Sequence, residues 1–174
     1  MSLKKNDTVR LTIHGYTAEG MGVGRTDEGM AVFVPGAARG DKLEVLLVKV
    51  LKNYAFGKIQ TILEPSPYRV EADCPHFGKC GGCDFRAMTY EAELAAKQNF
   101  VQDAMTRLGG LAVTVEDILP SPSENSYRNK VQYPVARLGD GKVTAGFYAS
   151  RSHRVIPCPD CRLQPELLNN IIRT

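Results

Sequence analysis

The sequence predicts a mainly β protein in two parts: a five-stranded barrel of the OB type over residues 1–65, then a small α+β domain over residues 66–174. Three observations lead to this fold class. Short apolar and β-branched runs, separated by glycine turns, fill residues 8–63. Prolines at positions 65 and 67 then mark an extended connection. One long helical pattern and one hairpin signal follow that connection.

The barrel is predicted from the spacing of its strands. Residues 9–13 alternate between apolar and polar side chains, which is the period of a strand buried on one face. Three further β-rich runs lie at residues 31–34, 42–50 and 55–62. A set of about five strands in about 55 residues suits a small closed barrel.

A glycine repeat, Gly20-Met21-Gly22-Val23-Gly24, lies between the first two β-rich runs. A phosphate-binding glycine loop follows a strand and opens a helix, whereas a turn and another strand follow this repeat. Glycines on one face of a strand let a small barrel bend and close. We therefore interpret the repeat as a tightly curved strand.

The long helix is predicted to run from Tyr90 to Leu108. Thr89 is suited to be its N-cap, because a threonine hydroxyl accepts a hydrogen bond from the first turn. Two glycines at positions 109 and 110 end the pattern. Four apolar residues recur at helical spacing and predict a face packed in a core; they are Leu94, Val101, Met105 and Leu108.

The remaining sequence is predicted to be β-rich and to end in a helix. Residues 131–135 and 143–148 flank Gly139-Asp140-Gly141, which is a strong hairpin signal. Residues 165–172 have the pattern of a helix start, and no stop signal follows them. We expect the chain to be part of a longer protein.

Charge and composition narrow the classes of protein. The chain has 22 basic and 19 acidic residues, and the basic excess lies toward its two ends. Any surface that faces phosphate should therefore come from the ends. No apolar run approaches the roughly 20 residues of a membrane span, and the N-terminus does not read as a signal peptide. We expect a cytoplasmic monomer.

The five cysteines are the strongest candidates for a functional site. Three lie in the run Cys74–Cys83, and two form the pair Cys158 and Cys161. Disulfides are rare in a reducing compartment, and thiolates spaced by glycines suit zinc or an iron–sulfur cluster. The spacing leaves both ligand sets open. Zinc would use Cys80, Cys83, Cys158 and Cys161, whereas a cluster would use Cys74, Cys80, Cys83 and one remote cysteine.

Several stretches resemble the RNA uracil-5-methyltransferase family. Residues 74–84 resemble its C-x₅-C-G-G-C segment, and residues 20–24 and 32–41 resemble its N-terminal TRAM domain, an OB-like RNA-binding barrel. The motifs Tyr127-Arg128-Asn129-Lys130, Gly146-Phe147-Tyr148 and Ser152-His153 resemble its central domain. The resemblance covers nearly the whole chain.

The resemblance implies a [4Fe–4S] cluster on Cys74, Cys80, Cys83 and Cys161. In the family, the fourth ligand comes eight residues after the histidine of the Ser-His element. Cys161 occupies that position relative to His153, and Cys158 is then the spare cysteine.

The resemblance also implies the reaction. Family members with this organisation transfer a methyl group from S-adenosylmethionine to C5 of uracil in 23S ribosomal RNA. The catalytic machinery of the family lies in a C-terminal domain beyond the region matched here. We therefore name no catalytic and no S-adenosylmethionine-binding residue, and we expect this chain alone to be inactive.

RNA contacts are predicted in both parts of the chain. Basic and aromatic residues interleave at the end of the barrel, as in grooves that hold single-stranded RNA. A second candidate is the triplet Arg128-Asn129-Lys130, in which two basic residues flank an asparagine at the start of the predicted hairpin. The candidates are Lys52, Tyr54, Phe56, Lys58, Arg128, Asn129 and Lys130. The alternative to this methyltransferase interpretation is a standalone zinc-binding and RNA-binding module without enzymatic activity.

Overall fold

The computed structural model describes residues 3–173, which divide into two compact units. Residues 3–71 and 87–118 form the first unit, and residues 72–86 and 119–173 form the second. The division differs from the two consecutive segments that we predicted. The long helix clusters with the barrel, and the cysteine-rich segment clusters with the C-terminal part of the chain.

The first unit contains a closed barrel and a helix. Its elements are β1 (Thr8–Tyr16), β2 (Gly22–Arg25), β3 (Ala31–Val34), β4 (Lys42–Val50), β5 (Tyr54–Glu64), α1 (Tyr90–Asp103) and a π-helical turn (Ala104–Leu108). The barrel order is β1-β2-β3-β5-β4, and β4 pairs back to β1. The β3–β5 pair is parallel and the other pairs are antiparallel. The predicted five-stranded barrel is confirmed.

A tightly packed apolar core fills the barrel. Its buried members are Leu11, Ile13, Val32, Val34, Ala37, Leu43, Val45, Leu47 and Ala55. Two glycines allow the strands to approach this closely. A Cβ at Gly22 would lie 2.8 Å from the Cβ of Ala37, and one at Gly57 would lie 2.1 Å from Cγ1 of Val45. Gly22 and Gly24 of the repeat lie in β2, as predicted for a strand, whereas Gly20 lies in the turn before it with a φ of 77°.

The connection after the barrel is fixed to it through a buried carboxylate. Asp41 is fully buried and accepts hydrogen bonds from the N–H groups of Ala38 at 2.7 Å and Ser66 at 2.9 Å. The guanidinium of Arg69 donates two more, one of them from Nε at 3.1 Å. Residues 64–70 are thus a bonded part of the first unit rather than a free linker.

Helix α1 begins as predicted but does not pack as predicted. The Thr89 hydroxyl accepts a hydrogen bond from the N–H of Ala92 at 3.3 Å, so the N-cap is confirmed. The prediction of a core face was wrong. Val101, Met105 and Leu108 are 47%, 42% and 88% exposed.

Polar contacts explain this difference. The side chain of Gln102 donates to the carbonyl of Val113 at 2.9 Å and accepts from the N–H of Val115 at 2.8 Å. One helical turn earlier, Gln98 accepts from the N–H of Ile118 at 3.3 Å. The helix therefore holds the segment 113–118 through two glutamines four residues apart, and its apolar residues are left exposed.

The second unit contains both strands and a helix. It contains β6 (Val135–Arg137), β7 (Val143–Tyr148), β8 (Val155–Pro157) and α2 (Glu166–Arg173), and its strands form an antiparallel sheet in chain order. The hairpin is confirmed, but its first strand begins at Val135 rather than at residue 131. Pro134, which has no N–H to donate to a ladder, precedes that start. Within residues 3–173, no helix combines the length and apolar character needed to cross a membrane.

Candidate nucleic-acid interface and cysteine site

Three aromatic rings cluster on the outer face of the barrel. Along β5, Ala55 and Gly57 are buried in the barrel, so Tyr54 and Phe56 point outward. The parallel register places Phe33 of β3 beside Phe56. The ring centroids of Phe33, Tyr54 and Phe56 lie 5.5–5.7 Å apart. We call these three residues the aromatic patch.

Exposed lysines border the aromatic patch. Lys58 follows two residues after Phe56 on the same face of β5, and Lys49 of β4 lies opposite Phe56 in the antiparallel register. Lys52 lies in the short connection between these two strands. Aromatic faces stack on nucleobases and lysines neutralise backbone phosphates. This face of the barrel therefore has the chemistry of a single-strand nucleic-acid surface.

In the second unit, all five cysteines line one small cavity. All five are free thiols. Arg86, Arg128 and Arg162 line the same cavity, together with Phe77, Phe147 and Leu163. Among residues 3–173, no group of three or more His, Cys, Asp or Glu side chains is arranged to hold a metal ion. The predicted cluster therefore stays a prediction.

Turns and one ion pair position the cysteine-rich loop. Its first turn is closed by the N–H of Phe77, which donates to the carbonyl of Cys74 at 3.1 Å. Asp73, directly before Cys74, accepts a bidentate pair of hydrogen bonds from Arg86 at 2.6 and 2.8 Å. The N–H of Gly81 donates to the carbonyl of Tyr148 at 2.9 Å, which joins the loop to the end of β7.

Helix α2 positions the second cysteine pair. The buried side chain of Asn169 accepts a hydrogen bond from the N–H of Cys161 at 3.1 Å and donates to its carbonyl at 3.2 Å. Cys158 is 2% exposed. A hydrogen bond between the Cys158 and Cys161 sulfurs raises the pKa of Cys158 and lowers the pKa of Cys161. Cys161 is therefore the more acidic thiol of this pair.

Burial disfavours the thiolate form of two cysteines of the first group, Cys80 and Cys83. Burial raises the pKa of Cys83 to about 11, and the neighbouring Cys161 thiolate adds to the shift. Burial also raises the pKa of Cys80, against the opposing effect of an N–H from Gly82. In a site of this kind, a bound cation would favour deprotonation, because metal ligation requires the thiolate form.

The residues of the predicted triplet Arg128-Asn129-Lys130 lie in two different environments. Arg128 lines the cysteine cavity, and its N–H donates to the carbonyl of Leu163 at 2.9 Å. Asn129 and Lys130 are exposed in a segment without regular secondary structure. All three belong to the second unit, whereas Lys52, Tyr54, Phe56 and Lys58 belong to the first.

Sequence reasoning missed several residues at the aromatic patch and at the cysteine cavity. Phe33 could have been found, because alternation along β3 turns it outward. Lys49 could not, because alternation along β4 would place it on the face of the buried Val45 and Leu47; an irregularity in the pairing between Leu47 and Lys49 turns it outward. Asp73, Arg86 and Asn169 carry no local signal, because their roles depend on partners that are remote in sequence.

The barrel defines the class of the first unit: residues 3–59 match the TRAM domain family. The chain is also homologous over nearly all of its length to proteins named RNA methyltransferase. An uncharacterized RNA methyltransferase of Halalkalibacterium halodurans is 44% identical over 98% of this chain. Another from Synechocystis is 41% identical over 97% of it. These matches confirm the TRAM domain and a similarity to proteins named RNA methyltransferase.

The chain spans 37% and 36% of the lengths of those two relatives. A solved structure with a similar fold is the tRNA (uracil-54, C5)-methyltransferase of Pyrococcus abyssi in complex with S-adenosyl-L-homocysteine. It superposes with a TM-score of 0.58 at 21% identity, over 94% of this chain and 35% of that protein. This likeness concerns the fold alone.

Proposed function

We propose that this chain is the RNA-holding and cluster-bearing portion of an S-adenosylmethionine-dependent methyltransferase that forms 5-methyluridine in 23S ribosomal RNA. The observation that carries the proposal is a TRAM barrel with an aromatic patch and bordering lysines, in a chain homologous to RNA methyltransferases. Methyl transfer itself is assigned to the further length of those relatives. We also propose that the protein acts as a cytoplasmic monomer.

The aromatic patch is suited to hold unpaired bases. Every base has a π-face, so stacking on Tyr54 or Phe56 tolerates any sequence and contributes about 1–3 kcal/mol per base. The bordering Lys49, Lys52 and Lys58 add affinity through released counterions. In this proposal the barrel supplies affinity and orientation, and the aromatic patch does not select which base stacks on it. Asn129 and Lys130 add a second contact on the other unit.

The cysteine cavity supports the cluster by the chemistry of its donors. It offers five free thiols and no carboxylate or imidazole among its lining residues. Thiolates suit zinc as well as iron–sulfur clusters, and the resemblance of residues 74–84 to a C-x₅-C-G-G-C segment favours the cluster. We assign Cys74, Cys80, Cys83 and Cys161 as ligands.

Cys158 is the spare thiol in this assignment. It is more deeply buried than Cys161, and it already shares a hydrogen bond with the Cys161 sulfur. A thiol in that position orients a neighbouring ligand from outside the coordination sphere.

Cys74, Cys80, Cys83 and Cys161 would hold the cluster, which would supply iron–thiolate bonds. These bonds would link the loop Cys74–Cys83 to Cys161, which are far apart in sequence. Closing a long loop stabilises the fold by lowering the entropy of the unfolded chain. Two residues of the chain position the ends of this link. Asp73, next to Cys74, is held by its ion pair with Arg86, and the side chain of Asn169 holds the backbone of Cys161.

Binding to two RNAs tests the substrate. Fluorescence anisotropy would compare a labelled 23S ribosomal RNA fragment series with a tRNA transcript at equal ionic strength. We expect tighter binding to at least one 23S fragment. The triple variant of Lys49, Lys52 and Lys58 to Ala should reduce the slope of log K against log salt by about 2, at 0.7 per contact. The exposed Lys142→Ala is the matched control. Preference for the tRNA would overturn the proposed substrate.

A further inference from the structure

Three arginines line the cysteine cavity, and they are not equivalent. Arg86 forms a bidentate ion pair with Asp73, and the Arg162 side chain donates to the carbonyl of Asp73 at 3.4 Å. Arg162 also lies 4.0 Å from the Asp73 carboxylate. Within residues 3–173, the guanidinium of Arg128 forms no ion pair with a carboxylate. Among the described residues, Arg128 is therefore the one arginine of this cavity without a carboxylate partner.

Main-chain hydrogen bonds fix Arg128 relative to the second cysteine pair. The N–H of Ser126 donates to the carbonyl of Arg162, and the N–H of Arg128 donates to the carbonyl of Leu163, both at 2.9 Å. These two bonds form a short ladder between residues 126–128 and the segment directly after Cys161. The backbone of Arg128 is thus hydrogen-bonded to the segment that directly follows the proposed fourth ligand, Cys161. The Arg128 side chain is only partly exposed.

The charge of a bound cluster calls for a positive partner. Four thiolates and the sulfides of a [4Fe–4S] core leave a net negative charge, and reduction adds one more. Net charge and local electrostatics set the reduction potential of such clusters. Arg128 lines the same cavity as both cysteine groups, so its charge lies next to the proposed ligands of both.

We propose that Arg128 is the counter-charge of the cysteine site, a positioning residue that stabilises the bound cluster and raises its reduction potential, rather than a contact for RNA phosphate. The proposal rests on the cluster assigned above. It differs from the role expected for the basic triplet, because Arg128 lines the cavity whereas Asn129 and Lys130 face solvent. RNA contact by Arg128 is an outcome of the test.

The test uses the 174-residue chain reconstituted anaerobically with iron and sulfide. The potential would be measured by dye-mediated titration for wild type, R128Q, R128K and the control R137Q, whose arginine lies on β6 away from the cavity. We expect R128Q to disfavour reduction at least tenfold, which is about 59 mV for one electron. R128K and R137Q should stay close to wild type. RNA affinity should not change in R128Q.

Each outcome either supports or overturns the proposed role of Arg128. If R128Q takes up no cluster while R128K does, the charge is required and the proposal stands. If R128Q and wild type share one potential, or if R128Q and R128K both lose the cluster, the proposal is overturned. Weaker RNA binding by R128Q at an unchanged potential assigns Arg128 to RNA instead. A wild-type chain that binds no iron would refute the proposed cluster itself.

Discussion

Replacing Asp41 by Asn should destabilise the first unit severely. The carboxylate is fully buried and accepts hydrogen bonds from Ala38, Ser66 and Arg69. Asn keeps the shape but removes the charge, which leaves the largely buried guanidinium of Arg69 without its partner. Removing one member of a buried ion pair costs about 3–5 kcal/mol. At about 4–8 °C per kcal/mol for a unit of this size, a loss of about 3 kcal/mol lowers Tm by about 12–24 °C.

The pH dependence of this effect has a definite sign. Burial raises the pKa of Asp41, but the hydrogen bonds from Arg69, Ser66 and Ala38 outweigh it, so the pKa is lowered overall. A carboxyl group with a lowered pKa in the folded state stabilises the fold above its unfolded pKa of about 3.9. That stabilisation is lost as the pH falls through the folded pKa. The difference between wild type and D41N should therefore be full at pH 7 and shrink below about pH 4.

Urea unfolding followed by circular dichroism measures both effects. Wild type, D41N, R69M and the double variant form a cycle, and the coupling free energy should exceed about 1 kcal/mol because the residues are in direct contact. Stability of D41N within 1 kcal/mol of wild type at pH 7 would refute the reasoning. So would a difference that is the same at pH 7 and pH 3.

Three further predictions concern the barrel and the reaction. Gly57→Ala should lower the free energy of unfolding in urea by about 1–3 kcal/mol through overpacking, because its Cβ would overlap Cγ1 of Val45. Gly139→Ala is the control, since Gly139 has open space around it, and should leave the stability unchanged. Equal stabilities of the two variants would contradict the packing. Tyr54→Ala should weaken binding to a 23S fragment about 5- to 100-fold through lost stacking, as anisotropy would measure; unchanged affinity would remove the aromatic patch from the interface. The 174-residue chain with labelled S-adenosylmethionine and 23S RNA should incorporate no label, and detectable transfer would place catalytic residues within this chain.

Much of the barrel was predictable because its signals are local. Alternation along residues 9–13 and 31–34 reports which side chains face the core, and the glycine repeat reports where strands approach closely. The α1 face was not predictable in the same way. Apolar residues at helical spacing, such as Val101 and Met105, lie on one face of a helix, but their spacing does not show whether another element packs against that face. Gln98 and Gln102 decide the packing, and their partners lie more than ten residues further on.

The sequence predicted which cysteines belong to the site, but it did not predict which residues hold their loops in place. Spacing alone grouped Cys74, Cys80 and Cys83, and the structure brings Cys158 and Cys161 to the same cavity. The residues that hold these loops, among them Asp73 and Asn169, are ordinary polar residues until the chain folds. Their partners come from segments that only the tertiary structure brings together.

The metal content of five single cysteine variants tests the central claim most directly. Each Cys→Ser variant would be purified anaerobically, reconstituted with iron and sulfide, and assayed for iron, zinc and visible absorbance. The account predicts that the changes at Cys74, Cys80, Cys83 and Cys161 each abolish iron binding and colour, and that Cys158→Ser keeps both. Iron or zinc retained in Cys74→Ser and lost in Cys158→Ser would contradict it.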